Sequence, residues 1–279
     1  MGITRNELYD RIHLQPEIIE KLDALSEQID ISGLTGDLER MMDRKTARPA
    51  YLQLKELLSE DAEHLKMLYC QLECARRLHD RYREMQIPET IFTETMRCFA
   101  RFIEECRVRT GRMFFDRGWW TYRQVSMSLF RIGALEYEMK EYEGENVIAI
   151  HIPSDADLSR ESVDVSLGQA EQFFRTCYAD YEYGKYTCGS WLLSPALRAS
   201  LAQDSNILAF QERFTVIEED SEDKEFIEWL FQVSKDTDYR KLPERTSLQR
   251  NIKERLIRGE KVGSAFGIIF NSEESNGEA

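Results

Sequence analysis

The stretch Asn146–Ser162, NVIAIHIPSDADLSRES, decides the fold. Residues 147 to 152 are apolar except for His151, and Pro153 follows, which has no N–H to give and cannot continue a central ladder. The run therefore predicts a buried strand that stops at the proline. Ser159 is a cap residue, and Val163, Leu167, Ala170, Phe173, Phe174 and Tyr178 recur behind it at helical spacing. A strand, a stop and a helix amino terminus in that order place any function just beyond the strand's carboxyl end.

Working outward, LEYEMKEY at 135 to 142 alternates strictly. Leu135, Tyr137 and Met139 share one face, while Glu136, Glu138 and Lys140 share the other, which reads as a strand with one wet face. EGEN turns it directly into the apolar run, making a hairpin whose second strand, apolar on both faces, is central. Downstream, YTCGSWLLSP predicts a strand over 186 to 193 closed by Pro195, and LRASLAQDSNILAFQERF a helical segment broken near Asp204 and Ser205. FTVIEED is a short strand, DKEFIEWLFQV a helix, SLQRNIKERLIRG a helix stopped by Gly259, and SAFGIIF a last strand. Strands alternating with helices after an antiparallel start describe a mixed α/β sheet.

Before residue 111 the period is helical. Pro16 suits a first turn, with Ile18, Ile19, Leu22, Leu25 and Ile29 as one stripe; a second helix follows Pro49. A long third helix, capped by Asp61, carries Leu65 to Tyr82. Pro88 opens a fourth, with Ile91 to Cys106 inward and Gly111 as its stop. Trp119 to Ser128 reads as a short helix leading to the sheet. The expected organisation is α/β (α+β): a helical domain over 1–112, a mixed sheet flanked by helices over 113–270, and a polar, disordered tail over 271–279.

Composition narrows the function. The chain has 279 residues, 42% of them hydrophobic, which is enough for a sizeable core, and a formal net charge of -14 with no dense basic tract. Binding to nucleic acid is therefore not expected. No window of about 18 apolar residues predicts a membrane span. The six cysteines form no CxxC pair, and MGITRNELYD lacks the apolar core of a signal peptide, so a reducing cytoplasm is the expected compartment. MGITRN also lacks the Ser or Thr of a myristoylation signal. Cys70 and Cys74 stand one helical turn apart without further ligands at zinc spacing, and no metal is expected. EEDSEDKE at 218 to 225 reads as solvated surface.

Three phrases, FDRGWWTYRQVSMSLFRIGALEYE, IHIPSDADLSRESVDVSLGQAEQFF and CGSWLLSPALRASLAQDSNILAFQERF, resemble in this order the GNAT-superfamily acyltransferases that carry a helical N-acyltransferase N-terminal domain and a divergent GNAT-like C-terminal domain. The resemblance covers most of the chain. It implies an N-acyltransferase that moves an acyl group, most simply acetyl, from acetyl-CoA or another acyl-CoA to a primary amine on a small-molecule or peptide acceptor. It implies that pantetheine lies along Ile148, Ala149 and Ile150 where that strand splays from the one carrying Ser190. The pyrophosphate would approach Ser154, Ser159 and Arg160, with Asn206 at a further cofactor position. Two departures stand out. The superfamily's Q/R-x-x-G-x-G/A loop has only an echo, Val165 to Ala170, inside the predicted helix. After Asn206 and Ala209, where many members have a Tyr acid, this chain has Phe210 and Phe214.

The residues themselves leave choices open. His151 has the ordinary pKa range of a general base, or it is a core histidine with one backbone partner. Glu136 and Glu138 could relay a proton or hold a cationic amine, or simply be solvated. Arg160 in a helix's first turn opposes the dipole unless solvated or paired with an anion. Trp119, Trp120, Tyr122 and Arg123 either line an acceptor pocket or weld the helical part to the sheet. The alternative to an enzyme is a non-catalytic GNAT-like module that binds CoA or another protein.

Overall fold

In a computed structural model, which describes residues 2–58 and 60–270, the chain divides into two compact units between Ile132 and Gly133. The expected disordered tail, 271–279, lies outside the described residues.

Among the described residues, the first unit is built of eight helices and a strand. They are α1 (Arg5–Ile12), α2 (Pro16–Ser26), α3 (Thr35–Met41), α4 (Ala47–Leu57), α5 (Leu65–Glu84), α6 (Glu89–Met96), α7 (Cys98–Thr110), α8 (Gly118–Val125) and β1 (Leu129–Ile132). The long helix α5 is its axis, with α1, α2, α3, α6 and α8 packed on it. Its buried residues run from Met67 to Tyr82 and include Gln71 and Glu73. Glu73 is held by Arg76 and Arg77 at 2.8 and 2.9 Å, and Gln71 donates to the Gly118 carbonyl. Asp61 does satisfy the start of α5, but from a distance: its carboxylate accepts the N–H groups of Lys66 and Met67, while His64 is the residue at the cap. Gly111 ends α7 at φ +75°, a conformation that favours glycine.

Three expectations need correction in this unit. The fourth helix is two, α6 and α7, interrupted at Arg97. The short helices α1 and α3 were invisible to an apolar stripe because each buries only two or three side chains; α1 is fixed instead by a capping box between Thr4 and Glu7. The four residues of β1 are all buried, so they show no alternation to read.

The second unit holds β2 (Leu135–Tyr142), β3 (Glu145–His151), α9 (Arg160–Cys177), β4 (Lys185–Ser190), α10 (Asn206–Gln211), β5 (Thr215–Asp220), α11 (Glu225–Phe231), α12 (Ser247–Ile257) and β6 (Ser264–Phe270). Its strands run in the order β2-β3-β4-β6-β5. Only β3 and β4 are parallel; the other neighbours are antiparallel. The β2–β3 turn uses Glu143 and Gly144 at φ 54° and 82°, the positive angles a two-residue hairpin requires. One face of the sheet receives α9, where Tyr137 Oη and Ser166 Oγ lie 2.9 Å apart. Beyond β4, α11, α12 and short 3-10 turns close a separate apolar cluster around Leu197, Phe226, Ile227 and Ile252.

Two corrections concern the sheet. The strand expected over 186 to 193 ends at Ser190, because Trp191–Leu193 turns into a 3-10 helix whose Leu192 N–H donates to Ser190 Oγ. The supposed wet face of β2 is dry at its start: Glu136 is 3% exposed and Glu138 only 12%, and Lys140 is the first exposed side chain. Alternation of polarity marked the two faces correctly but could not show that both are covered.

Candidate active site

The site is built on the place where β3 and β4 stop pairing. Their register consists of Ile148 with Tyr186 and Ala149 with Thr187. Past Ala149, Ile150 and His151 have no β4 partner, although β4 continues to Ser190 alongside β6. Gly189 is exposed in the middle of the sheet as a result. A glycine inside a central strand marks close approach by another backbone or a ligand.

His151 closes β3 and faces back to β2. Its Nε2 lies 2.8 Å from Oε2 of Glu138, and the two side chains are 23% and 12% exposed. The contact is diagonal: Glu138 pairs with Ala149, whereas Glu136 is directly opposite His151. All three side chains thus come from one sheet face, with Ala149 between them. A carboxylate on one ring nitrogen fixes the imidazole's orientation.

The helix amino terminus expected to meet phosphates is already furnished. Ser159 caps α9, accepting from Ser162 N–H at 3.4 Å. Asp157 accepts from Ser159 N–H at 2.9 Å, Ser159 Oγ at 3.0 Å and Ser162 Oγ at 2.5 Å. These bonds, that from Ser162 foremost, hold the Asp157 carboxyl below its ordinary range. Arg160 is exposed and paired with Glu212 at 3.0 Å, so the cation that opposes the helix dipole has an anion of its own. Ser154 is exposed. Val165 to Ala170 lies inside α9, so the echo of the phosphate loop is helical.

Ser190 is spent capping the 3-10 turn, and Asn206 is the exposed first residue of α10, with Ser205 as its cap. Phe210 and Phe214 are buried, so no hydroxyl stands where the superfamily often has its acid. Trp119, Trp120, Tyr122 and Arg123 belong to α8 in the first unit. There the Arg123 guanidinium stacks at 4.4 Å over Trp120 and 4.8 Å over Tyr122, and Trp119 is 45% exposed. Sequence reasoning missed Gly189 and Asp157. The signal for the first was a lone Gly in a strand; the second was hidden in a cap-rich loop.

The six cysteines are unpaired, and Cys188, just past the last β3–β4 pair, is buried, with its thiol pushed up to about 12. Among the described residues no helix is long and apolar enough to cross a membrane.

Comparison with known protein families identifies both parts of the chain. Residues 129–269 match the GNAT-like C-terminal domain and residues 4–127 the N-acyltransferase N-terminal domain. The chain belongs to this family: it is a two-domain GNAT-type N-acyltransferase. No curated protein matches it in sequence. Among solved structures, an acyltransferase in complex with decanoyl-CoA and teicoplanin superposes with a TM-score of 0.81 at 20% identity, covering 95% of this chain and 87% of that one. An acyltransferase in complex with decanoyl-CoA gives 0.71 at 21% identity, with coverages of 96% and 99%. At such identities the likeness shows the fold.

Proposed function

We propose that the protein transfers an acyl group from acyl-CoA to a primary amine of a small-molecule or peptide acceptor by direct attack. The observation that carries this is the end of β3–β4 pairing at Ala149 and Thr187, immediately before a histidine held by Glu138. The pantetheine arm would run along β3 where its pairing with β4 has ended, and the exposed Gly189 would let it approach β4. The phosphates would lie toward Ser154, Ser159 and Arg160. They would meet the first N–H groups of α9 and an arginine drawn from Glu212, since Asp157 already satisfies Ser159 and Ser162.

His151 takes a proton from the acceptor ammonium, the freed nitrogen attacks the thioester carbon, and the C–S bond breaks to release CoA thiolate. Glu138 is a positioning residue that holds the imidazole; Glu136 adds a second carboxylate near the arriving cation. The nitrogen of the tetrahedral intermediate gives up its second proton as the C–S bond breaks, to the departing thiolate directly or through water, since no tyrosine stands after Ala209, and the imidazolium returns its proton to solvent. Acetyl is the smallest donor. The fold's relatives hold decanoyl-CoA and octanoyl-CoA, which makes a longer acyl chain part of the proposal.

A non-catalytic module is the second reading, favoured by the buried Phe210 and Phe214 and by Asp157 on the α9 terminus. The test is a melting titration with thioesters from acetyl-CoA to decanoyl-CoA, followed by thiol release with a panel of amines. A thioester-dependent rise in Tm with amine-dependent thiol release is expected. A rise without release sinks the enzyme and leaves the module; no rise with any thioester sinks both.

A further inference from the structure

The helical unit holds a cavity of about 350 Å³, a size at which small molecules are bound. Its walls are the segment before α1, α1 itself, the last turns of α5 and the first residue of α6. The segment before α1 is fixed against α5: a Cβ on Gly2 would come 2.8 Å from Asp80 Oδ2, and Arg76 Nη1 donates to the Ile3 carbonyl at 3.5 Å. Apart from Gly2 and Ile3 the lining is ionisable, made of Glu7, Arg11, His79, Arg83 and Glu89.

The bonds these groups already make show which of them can serve a ligand. Glu7 closes the capping box of α1, accepting from Thr4 N–H at 2.7 Å and Thr4 Oγ1 at 2.8 Å. Glu89 accepts from Arg11 and stands 3.1 Å from His79 Nε2. Both carboxylates are engaged, whereas the cations keep donors to spare. Arg11 meets Glu89 through one terminal nitrogen, Nη1. Arg83 makes a long ion pair with Asp80, 3.7 Å, and its side chain is 58% exposed. His79 lies one turn before Arg83 on the same face of α5 and is 6% exposed; its Nδ1 is buried and has no hydrogen-bond partner among the described residues. With Nε2–H given to Glu89, that nitrogen is an acceptor.

The geometry points to a binding site for a phosphate group, held by the forks of Arg11 and Arg83 against His79. Guanidinium forks match phosphate oxygens two at a time. A phosphate that keeps a proton also carries a P–O–H, which sulfate lacks, and His79 Nδ1 and the remaining lone pairs of Glu7 and Glu89 are acceptors for it. Two arginines beside two carboxylates leave the lining without net charge, which suits one small phosphate group rather than a polyanion. All the residues belong to the helical unit, so the inference does not depend on the acyl transfer proposed above.

The chain has four histidines, so their ring C–H signals can be followed singly by NMR, with that of His79 identified by its loss in His79→Gln. Inorganic phosphate, glycerol 3-phosphate and sulfate are titrated at pH 7 and constant ionic strength into the full chain as wild type, Arg83→Gln, Arg83→Lys and Arg160→Gln. The last variant removes the arginine proposed for the phosphates of the thioester. The His79 signal is expected to shift saturably with phosphate, with an affinity about 10-fold or more lower in Arg83→Gln and unchanged in Arg160→Gln. Arg83→Lys, which keeps the charge but not the fork, should fall between wild type and Arg83→Gln, and it carries the test if Arg83→Gln does not fold. Preference for inorganic phosphate or for the monoester identifies the source of the group. A His79 signal that does not move, that moves equally with sulfate, or that responds equally in both Arg83 variants overturns the site. Loss of the response in Arg160→Gln would place the phosphate at α9 and overturn it too.

Discussion

Among the described residues a histidine–glutamate pair stands in each unit, and the two differ in what surrounds them. In the helical unit, His79 of α5 meets Glu89, the first residue of α6, at 3.1 Å. In the sheet unit, His151 meets Glu138 at 2.8 Å. His79 is the more buried, and its carboxylate is shared with Arg11, whose guanidinium also stands 3.4 Å from the ring. Burial first, and Arg11 second, hold the His79 pKa below its ordinary value. Such a pair resists taking a proton. His151 is less buried, 23% exposed, and sits where the pairing of β3 with β4 ends. The same two residue types thus occur in a buried helical setting beside an arginine and at the end of a strand whose parallel pairing has stopped; the transfer proposed above makes only the second a proton acceptor.

The largest effect that separates the pairs is on rate. His151→Gln should lower amine-dependent thiol release about 10²-fold or more with thioester affinity unchanged, the contribution of a positioned base. A full rate in a merely less stable protein would make His151 a second structural joint and end the contrast. Glu138→Gln should cost less than His151→Gln, and the double variant no more than His151→Gln alone, because Glu138 acts only through the ring. Additive losses in the double-mutant cycle would give Glu138 an independent role.

A smaller effect is expected from His79→Gln, and it should appear in stability rather than rate. The folded pKa of His79 is depressed, so the unfolded chain binds this proton more readily. Stability contributed by the neutral ring is full above about pH 6.5, the unfolded histidine value, and is lost as pH falls toward the folded value. The groups facing the ring are Arg11 and Glu7 from α1, Asp80 and Arg83 on α5, and Glu89 from α6. Urea midpoints at pH 7.5 and pH 5 should differ more in the wild type than in His79→Gln. Equal differences would show that Glu89 offsets the burial.

The smallest effect concerns Asp157. Its folded pKa is depressed by the bonds from Ser162 and Ser159, so its contribution is present above the unfolded value near 3.9 and lost as pH falls through the folded value. Asp157→Asn should therefore melt slightly lower at pH 7 and equal the wild type near pH 2. A constant offset at both pH values would trace the change to lost hydrogen bonds rather than charge.

How much of this was legible varied by physical cause. The hairpin, its central second strand and the Ser159 cap were readable because polarity, turn residues and caps are local. Of the candidate site, His151 was marked by being the one ionisable side chain in an apolar run. Its partner was not, since Glu136 and Glu138 alternate identically and only twist and register choose the diagonal neighbour. The breaks at Arg97 and Ser190 were hidden because apolar residues continue through both.

The sequence by itself determined a helical first half, a mixed sheet and the strand–proline–helix junction, since each follows from side-chain period and the chemistry of Pro, Gly and Ser over a few residues. Only the tertiary structure decided that pairing of β3 with β4 ends at Ala149, that Glu136 is buried, and that Gly189, exposed toward β3, pairs with Phe266 of β6. These depend on which strands become neighbours and where they part, quantities set by long-range packing and absent from any local pattern.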